Sequence, residues 1–228
     1  VMKILAIDTG GDCCALALRI NGIDVAEKIV VTGRDQAKIL APLTHELLTE
    51  HNLTVTDIDR FGIATGPGSF TGLRVGLSFV RGLALASGKK AIGIDHFKIT
   101  SNAIKQPHPV LIIRESKRAD LFCAWLGQDG VLGEYFLSPA QSILETLPRD
   151  KPFSITGNGA AQLIAIDSSV AAHHLDISDT LFIRSLALCV ETTNTVDTAP
   201  PQPLYMRNAD VNINVNINVN LPPLRAQQ

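Results

Sequence analysis

Aromatic residues are scarce in this chain, with one tryptophan, two tyrosines and eight phenylalanines among 228 residues. A β-sandwich leans on such residues, so abundant aliphatic and small side chains point instead to an α/β protein. There is no basic excess, because 20 Lys and Arg against 22 Asp and Glu leave a formal net charge of -2. Direct nucleic-acid binding leaves a basic footprint, so any RNA is expected to be held mainly by something else. Cysteine is sparse too. Cys13, Cys14, Cys123 and Cys189 form no CxxC pair and no Cys/His ligand spacing, which argues against zinc. Three of them (Cys13, Cys14 and Cys123) sit inside apolar runs and read as small core residues in a reducing compartment. No apolar stretch is free enough of glycine and charge to span a membrane, and the expectation is a cytoplasmic protein.

What is present is a repeated order of elements. Apolar runs KILAID, CCALALRI and IDVAEKIVV open the chain, and the last two meet at Asn21-Gly22. That pair is a strong signal for a type I′ hairpin, since both central residues need positive φ. A helix is expected over 37–51, where Ile39, Leu40, Leu43, Leu47 and Leu48 share one face. A strand near Phe61 to Thr65, a glycine-rich loop, a helix to about Ser87 and a strand near 91–94 complete the half. The second half begins alike, with PVLII (109–113), ADLFCAWL (119–126) and VLGEYFL (131–137), the last two joined at Asp129-Gly130. A helix near 139–147, a strand at PFSIT, the turn Gly157-Asn158-Gly159 and further helical segments follow. This is the layout of a duplicated α/β unit with mixed sheets flanked by helices. The expected domains are 2–100 and 101–208, with a low-complexity tail over 209–228. That tail holds VNINVNINVNL, readable as an added edge strand or as a wandering extension, and the second reading is favoured.

The loop Gly66-Pro67-Gly68-Ser69-Phe70-Thr71-Gly72-Leu73-Arg74 carries the chemical question. It lacks the Lys-Ser/Thr pair of a Walker A loop and the glycine of a nucleophile elbow, and Rossmann spacing fails. There remain Ser69 or Thr71 as a helix N-cap, outward backbone amides and the positive end of a helix dipole, enough for weak anion binding. The alternative is a glycine turn that packs a helix tightly on a sheet. The helix that follows is rich in small residues, including Gly72, Gly76, Ser78, Gly82, Ala84 and Ala86. Interior glycines cost a helix about 1 kcal/mol each against alanine, so close approach of another backbone, in this chain or across an interface, is expected to offset them. Arg74 and Arg81 share a face and are expected to meet a carboxylate or solvent.

Asp8, Thr9 and Gly10 end the first strand in the form of a phosphate turn, in which the acid would organise a metal-bound phosphate. The competing reading is an Asx turn. The usual partner of a phosphate turn would be a second carboxylate opening the second half, where Arg114-Glu115-Ser116 stands, and Gly157-Asn158-Gly159 makes a weak adenosine loop. His45 and His51 are six residues apart, which a zincin does not use. All six histidines are expected to be solvated or capping, with no catalytic residue and no metal ligand among them.

The motif Gly66 to Gly72 with Arg74, preceded by Ile7-Asp8-Thr9 and followed by GLALA at 82–86, resembles the TsaB (YeaZ) family. The resemblance is strong over residues 2–100 and thins thereafter. Glu115, Lys117 and Asp120 are similar replacements in a second motif, and Pro203-Leu204-Tyr205-Met206-Arg207 resembles the closing one. Gln36 stands where many members carry histidine, and the VNIN repeat has no counterpart. The resemblance implies two related lobes of the actin-like/Hsp70-like ATPase (ASKHA) fold. It also implies a non-catalytic subunit without a cofactor of its own. Its partner TsaD, with TsaE, would use ATP and a divalent metal to place threonylcarbamoyl on N6 of adenosine 37 in tRNAs reading ANN codons. The chain would meet tRNA only through that complex, and its first lobe would form a heterodimer with TsaD or a homodimer. On this reading Gly66, Gly68, Ser69, Thr71, Gly72, Arg74, Gly76 and Gly82 belong to a partner-docking or weak anion loop, and Asp8, Thr9 and Gly10 to a vestigial phosphate turn. An independent ASKHA-fold ATPase or small-molecule kinase using Asp8 is the alternative, and a glycoprotease-like peptidase a remoter one.

Overall fold

Alternation along the first strands decides which helices lie on which side of them. In the computed structural model, which describes residues 1–33, 35–116, 118–194 and 199–206, β1 (Lys3–Asp8), β2 (Cys13–Ile20) and β3 (Ile23–Val31) form an antiparallel meander. Asn21 and Gly22 at the hairpin have φ of 49° and 79°, as a type I′ turn requires. After α1 (Gln36–Glu50), β4 (Arg60–Ala64) joins parallel to β1. The chain then forms α2 (Phe70–Ser87) and β5 (Lys90–Ile94), which pairs parallel to β4. The sheet order is β3-β2-β1-β4-β5.

Leu5, Ile7, Leu16 and Leu18 point to one face, where α1 and α2 cover them with Leu40, Leu43, Leu47, Leu77 and Val80. Ile4, Ala6, Ala15 and Ala17 point to the other. Small residues on that second face let a helix come close, and a Cβ on Gly62 would press against Val190. Both faces are therefore buried, as near-continuous apolar runs predict.

The helix on the second face comes from far along the chain. α3 (His96–Ala103) follows β5, and then the second unit begins: β6 (Val110–Arg114), β7 (Asp120–Leu126), β8 (Leu132–Pro139), α4 (Ala140–Thr146), β9 (Ser154–Thr156) and α5 (Ala160–Ile166). These strands form a sheet of order β8-β7-β6-β9 with β6 and β9 parallel. Its core joins Leu111, Ile113, Leu121 and Trp125 to Ile143 and Leu144 of α4 and Leu163 of α5.

Finally α6 (Asp179–Thr192) returns to the first sheet, burying Ile183, Leu186, Ala187 and Val190. The compact units are thus Val1–Ile104 with Ile177–Leu204, and Lys105–Asp176. The expected boundary near 100 is close, but the expected span 101–208 needs correction, because α6 and the segment after it pack on the first sheet.

Polar ties fix α6 in place. Arg60 Nη1 donates to the carbonyls of Val190, Glu191 and Thr193 at 3.0, 2.9 and 3.1 Å. Arg19 pairs with Glu191 at 2.9 Å, and Arg184 with Glu27. The segment 199–204 follows onto the same unit, where Leu204 N donates to Thr65 O at 2.8 Å and Pro201 lies against Gly93. The expected tail motif at 211–221, with Arg207 and Lys117 of the quoted motifs, lies outside the described residues. Among the described residues no helix is long and apolar enough to cross a membrane.

Candidate functional site: a filled turn beneath an exposed helix

The site begins where β1 ends. Asp8 Oδ1 accepts the Gly10 amide at 2.8 Å, the Asx turn that a short carboxylate makes with the backbone two residues on. The same oxygen lies 3.2 Å from His96 Nε2. The other ring nitrogen, Nδ1, is 2.8 Å from Pro67 O. A carbonyl only accepts, so Nδ1 carries hydrogen in this bond. His96 is fully buried, and Asp8 nearly so. The ring meets Phe182 of α6 edge-on, with centroids 5.3 Å apart.

This corrects the expectation that all six histidines are solvated or capping. The signal was present but local: Asp95 N-caps α3, its side chain accepting from Lys98 N at 3.0 Å, so Asp95-His96-Phe97 is a helix start that places His96 on an inward face. Among the others, His173 stacks on Phe153 with centroids 4.1 Å apart, His108 Nε2 bonds Ser154 Oγ at 2.9 Å, and His45 is exposed.

α2 rests directly on the turn. Ser69 N donates to Gly10 O at 2.7 Å, and Thr9 Oγ1 donates to Gly72 O at 2.8 Å. Ser69, not Thr71, is the N-cap, its hydroxyl accepting from Gly72 N at 3.3 Å. A Cβ added to Gly68 would collide with Gly10 O, one on Gly72 with Thr9 O, and one on Gly76 with Thr9 Oγ1 and Ile63. Gly72 and Gly76 fall on one line of the surface of α2 and Gly68 lies in the loop just before its N-cap, and their missing side chains are the clearance that lets α2 lie on β1's turn. Gly66, at φ of 100° and buried, supplies the left-handed bend that only glycine adopts freely.

Eight of the expected residues therefore come together: Asp8, Thr9, Gly10, Gly66, Gly68, Ser69, Gly72 and Gly76. Three lie apart on the outer face of α2. Thr71, Arg74 and Gly82 are exposed, and nothing lies within 4 Å of a Cβ on Gly82. The expectation of Gly76 as a docking residue is corrected, because it is buried inside its own unit. Arg74 lies over the Phe70 ring, 3.7 Å from its centroid, a cation–π contact. Arg81 is exposed and donates to Pro201 O, a carbonyl, where a carboxylate or solvent was expected.

The outer face of α2 carries apolar surface as well, with Phe70 at 56% and Leu85 at 85% exposure. Between them run Ser78 and Gly82, so a second helix could approach closely.

The second unit repeats the device more modestly. Gly157, at φ of 97°, leaves no room for a Cβ against Ile113 O. Gly159 N donates to that carbonyl at 3.2 Å, and Asn158 Oδ1 accepts from Glu115 N at 3.0 Å. The glycine turn is thereby committed to the end of β6. Among the described residues no group of three or more His, Cys, Asp and Glu is placed to hold a metal ion.

Known proteins resemble this chain in sequence and fold. The chain is 25% identical to the tRNA threonylcarbamoyladenosine biosynthesis protein TsaB of Haemophilus influenzae, over 91% of this chain and 94% of that one. It is 31% identical to the tRNA N6-adenosine threonylcarbamoyltransferase of Clostridium botulinum strain 657, over 58% of this chain but only 46% of the transferase. The solved structure of YeaZ from Pseudomonas aeruginosa superposes with a TM-score of 0.71 at 20% identity, covering 90% of this chain and all of that one. The fold is that of the actin-like ATPases, two α/β units with mixed sheets flanked by helices. A family model described as TsaD, tRNA N6-adenosine threonylcarbamoyltransferase, matches residues 30–214, and with its near full-length match to TsaB the chain belongs to this family, on its TsaB (YeaZ) side.

Proposed function

We propose that this chain acts in tRNA threonylcarbamoyladenosine synthesis as a non-catalytic subunit, docking through the outer face of α2 onto a TsaD-like transferase. The observation that carries the reading is the engagement of Asp8. Its carboxylate holds the Gly10 amide and faces the buried His96 ring, while the glycine line of α2 occupies the space above the turn. A carboxylate built to organise a metal-bound phosphate needs an open approach. Here α2 is seated on the turn, and its opposite face offers apolar and small residues with one stacked arginine. Phe70 and Arg74 are of the types enriched at interfaces, and the exposed Leu85 adds apolar area.

TsaD is the proposed partner, with TsaE joining and a second copy of this chain as a competing occupant of the same face. ATP and a divalent metal would belong to those partners, and tRNA would be met through the complex. The chain has no basic excess with which to hold RNA itself.

Two measurements on the purified full chain test this. Leu85→Glu, which sets a charge on the most exposed apolar residue of the face, should reduce capture of TsaD at least about tenfold, the size of a typical anchor loss. Undiminished capture would sink the docking reading. ATP turnover by the isolated chain should be absent. Turnover abolished by Asp8→Asn would transfer the assignment to an independent ATPase or kinase.

A further inference from the structure

We propose that His96 is the positioning residue of the docking helix: it fixes the turn after β1 and the loop before α2 in one register, so that the outer face of α2 is presented as a rigid surface. The inference rests on the docking role proposed above and adds the residue that sets its geometry.

The argument starts from how many strands of chain one side chain joins. His96 N donates to Gly66 O at 2.7 Å, and its Nδ1 lies 2.8 Å from Pro67 O. One residue thus takes two successive carbonyls of the loop that leads into α2. Its Nε2 faces Asp8 Oδ1, which holds Gly10 N. Gly10 O in turn takes Ser69 N, the first amide before the helix. These contacts form a closed circuit: His96 Nε2 faces Asp8, Asp8 holds Gly10, Gly10 holds Ser69, and the chain returns through Pro67 to His96.

A Cβ on Gly10 would lie 2.9 Å from the ring's Cε1, so the imidazole also sets how close the turn can come. Phe182 closes the remaining side. Polar networks of this kind, away from water, are rigid because each group is aimed at a specific partner. An apolar side chain of the same volume would fill the space without directing the loop.

The distinguishing readout is local. Residue-resolved hydrogen exchange on the full chain should show the Ser69 and Gly10 amides exchanging about tenfold faster in His96→Phe and His96→Ala, the worth of one net hydrogen bond. The Ile7 and Ile63 amides in the neighbouring strands should change no more than global stability requires. Val190→Ala, on the opposite face of the sheet, serves as the control that lowers stability without touching the circuit. His96→Gln, whose amide N–H can reach Asp8 from the same backbone position, should restore part of the protection, and it also supplies the measurement if the alanine variant does not fold.

Ser69 and Gly10 exchange that rises no more in His96→Phe and His96→Gln than in Val190→Ala would overturn the proposal, whatever the partner. Faster local exchange with undiminished TsaD capture by His96→Phe would overturn it also, since the register would then be irrelevant to docking. Faster exchange and weaker capture in that variant support it. Failure of the docking reading is recognised separately, by capture that survives Leu85→Glu.

Discussion

Alanine at Gly72 and alanine at Gly82 should move stability in opposite directions, although both residues sit in the same helix. At Gly72 the added methyl would fall on the Thr9 carbonyl, a backbone atom that cannot swing aside. Overpacking of this kind costs about 1–3 kcal/mol. The displaced helix also gives up the 2.8 Å bond from Thr9 Oγ1 to Gly72 O, worth ~1 kcal/mol. Against these stands a helix-propensity gain of at most ~1 kcal/mol. The net expectation is a loss of about 2 kcal/mol, a fall of roughly 4–8 °C in Tm for a chain of this length. At Gly82 nothing lies within 4 Å of the new methyl, so only the propensity gain of up to ~1 kcal/mol remains. Its Tm should rise by about 2–4 °C. Differential scanning calorimetry at matched pH reads both. A Gly72→Ala variant as stable as the parent would mean that α2 does not lie on the turn as described. A destabilised Gly82→Ala would mean that its outer face is already covered within the monomer.

Other measurements probe separate parts of the molecule. Arg60→Met keeps the aliphatic stem but removes the donor shared by three carbonyls at the end of α6, and urea unfolding should show a loss of about 2–3 kcal/mol; an unchanged midpoint would show that α6 needs no such cap. Asp167 is held down to about 2, first by the Ser169 hydroxyl and then by Arg149. Its contribution is therefore present above the unfolded carboxylate's pKa of about 4 and lost as pH falls through about 2. Asp167→Asn should flatten the urea midpoint's pH dependence in that acid window, and an identical acid profile would refute the pairing. Burial lifts the Cys14 thiol to about 12 and Cys189 to about 11, and pushes Cys13 and Cys123 up as well. Raised thiols carry less thiolate, so Ellman's reagent at pH 8 should react slowly with the native chain and with all four cysteines after unfolding. A fast native phase would contradict the burial.

Much of the fold is legible from residue patterns. Asn21-Gly22 marks its hairpin because Asn and Gly adopt positive φ at less cost than other residues. The 3.6-residue spacing of Leu40, Leu43 and Leu47 places α1 within a residue of its observed start and end. The site was half legible. The gathering of Asp8, Thr9 and Gly10 beside Gly66 to Gly72 is announced by glycines flanking a strand end. The difference between Gly76, pressed on Thr9, and Gly82, open to solvent, is not, since two glycines six residues apart look alike until the neighbouring turn is in place. The role of His96 is hidden for a related reason: its partners Asp8 and Pro67 are 88 and 29 residues away, and no local pattern names them.

Residue order, through turn chemistry, apolar period and the GPGSFTGLR motif, was sufficient to establish a two-unit α/β protein and the family to which it belongs. Those properties depend on interactions within a few residues or on a preserved string of letters. It took folding to bring α6 back to the first sheet after the whole second unit, to bury an imidazole against a strand-end carboxylate, and to turn Gly72 and Gly76 inward and Gly82 outward. Such outcomes depend on which surfaces meet, and adjacency along the chain announces only pairings between neighbouring elements.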